Sequence, residues 1–430
     1  MFGLVYTLLI TGLLGLVGDG FIHVASASSF VITPLGLRIP VGGEQVGKSA
    51  SAAGADSSPA SDGAETSSRN LKFQPGVVPG TDENGRRIQA HGGCLLEHEG
   101  AVYWYGENKD GDTKQLSIHT PARVDVVGIS VYRTTDFNTW TYEGLALKPD
   151  TSDRTSDIHT SKVVERPKVV YNRKTKTFVM LLHIDTADYT YAQVGVATSD
   201  SPTGPFQYHG SARPHGWDAR DMTVFVDDDE DNTGCLVYSS EDNRVSHIGK
   251  LTEDYTGLDG SFARVFVGQS REAPTVFKNG GLYYMVTSGC TGWAPNRAMA
   301  HVATCMLCKW KSLGDPSHGS SGEMRASTFY SQGTYVFGPL RFVDGDGTAD
   351  GDSDELGRFL FLADRWNPKD LRTSTYVWLP MTVRTPAANA TRLKGAPPLT
   401  PDDAMLWSSV RIRYHEAWDW QTLRDAGAGT

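Results

Sequence analysis

Five times along the chain, a short run of β-branched and aromatic residues crosses a turn into a second such run. Gly93-Cys94-Leu95-Leu96 leads over Glu99-Gly100 into Val102-Tyr103-Trp104-Tyr105. Lys168-Val169-Val170-Tyr171 leads over residues 172–177 into Phe178-Val179-Met180-Leu181. Thr223-Val224-Phe225-Val226 crosses an acidic turn into Cys235-Leu236-Val237-Tyr238, and Thr275-Val276-Phe277 crosses Asn279-Gly280-Gly281 into Tyr283-Tyr284-Met285-Val286. Tyr335-Val336-Phe337 pairs less tidily with Phe359-Leu360-Phe361-Leu362. Such runs, broken by Gly, Asn and Asp, are hairpin signals. Their recurrence at roughly 50 to 75 residues, with no helical periodicity between, marks a β-propeller. The sequence therefore predicts an all-β chain with five blades, in which Ile129-Ser130-Val131-Tyr132 and Val194-Gly195-Val196-Ala197 are third strands. A high Gly count (46) with 10 Trp, 17 Tyr and 16 Phe agrees with short strands and many turns.

The rest of the chain has a different texture. Phe2 to Val17 carry no charge and lead to Ala25-Ser26-Ala27, a small-residue pattern that a signal peptidase could cut. Residues 1–27 read as a secretory signal, with an uncleaved membrane anchor as the alternative, and the protein is expected to be secreted. Residues 28–72 read as a flexible linker, because from Val41 onward Ser, Ala and Gly dominate and too little apolar surface is present to order the segment. Residues 73–424 are left for one catalytic domain, expected to be a monomer. Asn389-Ala390-Thr391 is a glycosylation sequon. A net charge of -10 argues against a nucleic-acid partner. Five cysteines exclude a dense disulfide framework, and Cys305-Met306-Leu307-Cys308 reads as a local bridge or two buried thiols. Neither a cofactor nor a metal is expected. The run Asp227 to Asp231 reads as a solvated turn, and Asp344 to Glu355 as an insertion without the glycine of a calcium loop.

The repeat also places chemistry. A polar residue stands just before each first strand: His91, Glu165, Asp221, Glu272 and Gln332. In a propeller the innermost strands line the central channel, so these five side chains converge at one mouth, with Glu107 as a further carboxylate at the same rim. Crowded, poorly solvated acids push one another's pKa apart, and the one that keeps its proton can serve as a general acid. Glycoside hydrolysis needs such a donor beside a second carboxylate. The competing reading is that acids beside prolines (Glu165-Arg166-Pro167, Arg271-Glu272-Ala273-Pro274) merely pair with arginines. Trp293 and Trp366 are candidates for stacking on a sugar face, with Asn296 and Arg365 nearby for hydroxyls, whereas Trp104 and Trp378 read as packing.

Several motifs in order resemble one family. They include Gln89-Ala90-His91-Gly92-Gly93, Trp104-Tyr105-Gly106-Glu107-Asn108-Lys109, Val164-Glu165-Arg166-Pro167-Lys168, Arg220-Asp221-Met222, Arg271-Glu272-Ala273-Pro274, Gly292-Trp293-Ala294-Pro295-Asn296 and Asp364-Arg365-Trp366-Asn367-Pro368. From about Ile88 to Trp420 the chain resembles glycoside hydrolase family 43, and most of all its exo-β-1,3-galactanases. The resemblance implies a five-bladed propeller that releases galactose from the non-reducing end of β-1,3-galactan, the main chain of arabinogalactan, with inversion. It implies Glu272 as general acid, Asp221 as the residue that tunes and orients it, Glu107 as a galactose ligand, Glu165 as a carboxylate near the sugar, and Gln332 near the water. Gln89 and His91 stand where the wider family carries an aspartate base, so the base stays open between Gln332 and Glu165. The alternatives are an arabinofuranosidase or xylosidase on the same fold, or a non-catalytic propeller that binds carbohydrate.

Overall fold

A computed structural model describes residues 29–41, 72–115, 117, 121–344, 346–347, 349, 355–386 and 400–426. The signal or anchor, residues 42–71 of the linker, the sequon and most of the second acidic run lie outside them.

The five predicted hairpins each grow into a sheet whose strands pair antiparallel in chain order. Sheet 1 comprises His91–His98, Ala101–Glu107, Ile129–Thr134 and Thr141–Leu147. Sheet 2 comprises Val163–Asn172, Thr177–Asp185, Gln193–Ser199 and Gln207–Ala212. Sheet 3 comprises Met222–Val226, Gly234–Ser240, Val245–Leu251 and Leu258–Val265. Sheet 4 comprises Arg271–Asn279, Leu282–Gly289, Met299–Ala303 and Lys311–Gly314. Sheet 5 comprises Gln332–Phe337, Leu356–Arg365, Thr375–Arg384 and Ser409–Arg413, with Ser317–His318 added in parallel at its edge.

The second strands are buried on both faces, which is why they read as unbroken apolar runs; Ala101–Glu107 is buried along its whole length. Five hydrophobic clusters each join two neighbouring sheets. Tyr105 packs with Met180, Leu181 with Leu236, Ile248 with Met285, and Tyr284 with Phe361. Trp104 closes the round against Trp378, so both of these tryptophans pack between sheets. The first strand of each sheet lies against that of the next, and Gln332–Phe337 returns to His91–His98.

Three expectations need correction or completion. The linker does not begin at residue 28: Ser29–Ile32 and Arg38–Val41 form a hairpin that pairs with Arg341–Val343. Its Val31 and Ile39 are 0 % and 2 % exposed, and its turn donates to the Glu97 carboxylate of sheet 1 through Leu35 N at 2.9 Å. Asp344, from the second acidic run, accepts from Ser29 Oγ and Arg424, so it ties the hairpin to the C-terminal helix. The first acidic run is not wholly solvated either, since Asp227 is buried against Lys278 Nζ at 2.6 Å. The ammonium and the Tyr283 hydroxyl supply the partners that a buried carboxylate needs. Cys305 and Cys308 form the local disulfide, and Cys94, Cys235 and Cys290 are free thiols.

Candidate active site

The polar residues that precede the runs stand at the same end of the five first strands. His91 and Gln332 open theirs, Glu272 is second and Glu165 third, and Asp221 immediately precedes Met222. In four of these sheets the pairing register slips just beyond the polar residue, at His91/Cys94, opposite Leu181/His183, at Glu272/Thr275 and at Gly333/Tyr335. A bulge re-aims side chains where a regular strand would alternate them. Pro167 and Pro274, which have no N–H for a ladder, and left-handed Gly92, Arg166 and Ala273 accommodate these irregularities. Only glycine fits at position 92, because a Cβ would come within 2.2 Å of Glu107 Oε1.

Arg166 holds the centre together. Its Nε and Nη2 donate to the two oxygens of Asp221 at 3.0 and 2.8 Å, Nη2 also donates to Gln332 Oε1 at 2.6 Å, and Nη1 donates to Gly333 O at 3.2 Å. Its backbone N–H donates to Glu107 Oε1 at 2.9 Å. Gln332 Oε1 also accepts from Trp366 Nε1 at 3.3 Å, while Gln332 Nε2 donates to Glu272 Oε1 at 3.0 Å and Ser288 Oγ at 3.1 Å. Asp221, Glu272, Gln332 and Glu107 therefore form one connected set.

The carboxylates of the rim have opposite surroundings. Glu165 accepts from Tyr189 at 3.0 Å and lies 3.6 Å from both Lys109 Nζ and His183 Nδ1, with His183 braced by Asp185 at 3.0 Å. Burial alone would raise its pKa, but Lys109, His183 and Tyr189 together bring it down to about 2. Glu107 takes Lys109 Nζ at 2.6 Å, with burial as its largest upward influence. Glu272 has no cation within ion-pairing distance among the described residues. Burial, and then the negative charge of Asp221, push it up to about 8 against the weaker pull of Arg166, the Cys290 thiol and Gln332. At neutral pH one rim thus carries an ionised Glu165 and a protonated Glu272.

Trp293 and Trp366 meet edge to face at 5.0 Å and, with Ser288, Tyr330, Gln332 and Asp364, line a cleft of about 300 Å³. A second cleft of about 290 Å³ is lined by Glu107, Lys109, Arg123 and Glu165. Three candidates have their polar atoms occupied within the protein, and the fourth, Arg365, is only partly engaged, its buried Nε having no hydrogen-bond partner among the described residues. His91 is 0 % exposed, stacked on Tyr376 and 3.1 Å from Asp364 Oδ1. Gln89 is spent on Arg372 O and Lys109 N, Asn296 on both backbone groups of Gly289, and Arg365 Nη2 on Phe329 O. His91, Gln89 and Asn296 thereby position loops and strands around the rim, and Asn296 also lines the first cleft. Sequence reasoning missed Arg166, Lys109, His183, Tyr189, Ser288 and Asp364 as site members. Arg166, Lys109 and Asp364 lay inside quoted motifs; His183 and Ser288 become visible only when second strands are paired with first, and Tyr189 lies in the turn after the second strand of sheet 2.

The sequence pattern of glycosyl hydrolases family 43 matches residues 108–324, half of the chain. The chain belongs to glycoside hydrolase family 43. Solved family members are similar over most of its length. A GH43 β-1,3-galactosidase solved with galactodeoxynojirimycin is 32 % identical, with 81 % of this chain and 100 % of that one covered and a TM-score of 0.64. The exo-β-1,3-galactanase of Phanerochaete chrysosporium, solved with β-1,3-galactotriose, is 30 % identical over 82 % of this chain and 69 % of that one, with a TM-score of 0.64. Another GH43 β-1,3-galactosidase is 30 % identical over 83 % of this chain, which spans 65 % of its length, with a TM-score of 0.65. No curated protein matches the chain by sequence.

Proposed function

We propose that this family 43 protein is an exo-acting, inverting glycosidase that releases galactose from the non-reducing end of β-1,3-galactan, on a five-bladed β-propeller. The observation that carries the catalytic reading is Glu272, a half-buried carboxyl without a cation, held at about 8 beside Asp221. The substrate rests on the likeness to β-1,3-galactosidases and exo-β-1,3-galactanases at 30–32 % identity. The blade count is supported by five sheets with consecutive first-strand contacts and an apolar layer between each neighbouring pair. The charge-free run from Phe2 to Val17 supports secretion.

In this mechanism Glu272 gives its proton to the glycosidic oxygen as the bond to the departing galactan breaks, while a water adds to the opposite face of the anomeric carbon and loses its proton to solvent, which inverts the configuration. A positioned acid of this kind contributes roughly 10² to 10⁴ in rate. Asp221, fixed by Arg166, keeps Glu272 protonated and places negative charge near the developing oxocarbenium ion. Gln332 aims Glu272 through its amide N–H, and Arg166 and Trp366 fix which way that amide faces. Glu107, Glu165 and Lys109 form the polar floor for galactose hydroxyls, and Trp293 and Trp366 the aromatic wall. Glu165 is a weak base at about 2, so its part is binding rather than proton abstraction. Incubating the full chain with linear β-1,3-galactan, and following the released sugar by proton NMR, tests the reading. α-Galactose as the first product from the parent, and release slowed by about 10³-fold in Glu272→Gln, are expected. Release of arabinose or xylose from aryl glycosides with none from galactan, or galactan binding without hydrolysis, contradicts it.

A further inference from the structure

Lys168 is one of the largest fully buried side chains in the protein, 1 % exposed on the first strand of sheet 2. Its ammonium has no carboxylate within ion-pairing distance among the described residues. It donates instead to three backbone carbonyls: Gly92 O at 2.7 Å, Arg166 O at 3.4 Å and Pro167 O at 3.4 Å. Burying a cation without an anion is costly, so such a lysine needs a compensating role.

The identity of its acceptors points to that role. Gly92 and Arg166 are both left-handed residues at the bulges of sheets 1 and 2. The N–H of Gly92 donates to Asp364 Oδ2 at 2.7 Å, and the N–H of Arg166 donates to Glu107 Oε1 at 2.9 Å. Each residue thus spends its N–H on a rim carboxylate and its C=O on the same ammonium. We propose that Lys168 is a positioning residue: its ammonium locks the bulges of sheets 1 and 2 to each other and thereby fixes Arg166, which orients Asp221 and Gln332. It touches none of the groups assigned to substrate and acts through Arg166. The inference rests on the catalytic reading above for what Arg166 positions, but not on the identity of the sugar.

The test uses the full chain and whichever glycoside the parent cleaves, so an inactive parent on galactan tells against the substrate reading alone. Lys168→Met keeps the length and removes the charge; Lys168→Ala leaves a cavity that propylammonium, the missing part of the side chain, can enter. In folded Lys168→Met, kcat is expected to fall by about tenfold or more, the scale of a sub-ångström misplacement of catalytic groups. Lys168→Ala should be slow and should recover kcat with propylammonium but not with neutral propanol. A purely structural lysine would lower the unfolding midpoint and leave kcat of the folded protein at the parental value. That result, or equal recovery with propanol, would overturn the proposal. If Lys168→Met fails to fold, the Lys168→Ala recovery decides alone.

Discussion

Glu165 and Glu272 occupy nearly the same local sequence, a glutamate beside an arginine with a proline two residues on, and nearly the same place, the start of a bulged first strand. Yet one is held at about 2 and the other at about 8. The difference comes from what the neighbouring strands deliver. The second strand of sheet 2 brings His183, and the end of sheet 1 brings Lys109, to Glu165. The second strand of sheet 4 brings Ser288 to the Gln332 amide that faces Glu272 and, just past its end, the neutral Cys290 thiol, while Arg271 turns away to Thr287. Arg166 likewise turns from Glu165 to Asp221. An acid and an anion are thus made from one motif by the partners supplied across the sheet.

The contrast can be broken most severely at the acid. Glu272→Gln keeps the Gln332 contact in shape and removes the proton, and kcat on β-1,3-galactobiose is expected to fall about 10³-fold, read by galactose release. Next comes Lys109→Met, which strips Glu107 and Glu165 of their shared cation. With two buried carboxylates left partly uncompensated, a loss of about 10²-fold in kcat/KM is expected, carried largely by KM.

The two glutamates also give opposite pH windows. Glu272 is raised in the folded state, so its contribution to stability is complete below the ordinary value of 4.5 and is lost as pH rises through about 8. Glu165 is depressed, so its contribution is present above 4.5 and lost as pH falls toward about 2. Glu272→Gln should therefore flatten the alkaline side of a plot of unfolding midpoint against pH, and Glu165→Gln the acid side. A common slope in both variants would contradict the assignment. The mildest effect is expected for Ser288→Ala, which leaves Gln332 three of its four partners and should lower kcat by about threefold.

Much of this was legible in the chain. All five hairpins stand where the apolar runs are, because each pair is local and its turn chemistry is explicit. The rim residues were legible for the same reason, since they precede those runs. What escaped the sequence is what comes from across a sheet or around the ring. The chain near His183 says nothing of Glu165, because their meeting depends on a register that slips by one residue. Asn296 looked available for sugar, but folding commits its amide to both backbone groups of Gly289. The N-terminal hairpin was hidden by the Ser- and Ala-rich stretch that follows it, although Val31 and Ile39 complete the core between sheets 1 and 5.

The most direct measurement is the carboxyl titration of Glu272 in the full chain labelled with ¹³C at glutamate carboxyls, assigned by the resonance that disappears in Glu272→Gln. The account predicts that this resonance titrates near pH 8, with no glutamate signal assigned to Glu165 moving above pH 4. A Glu272 signal that titrates below pH 5 would contradict it, since the rim would then hold no proton to give at neutral pH.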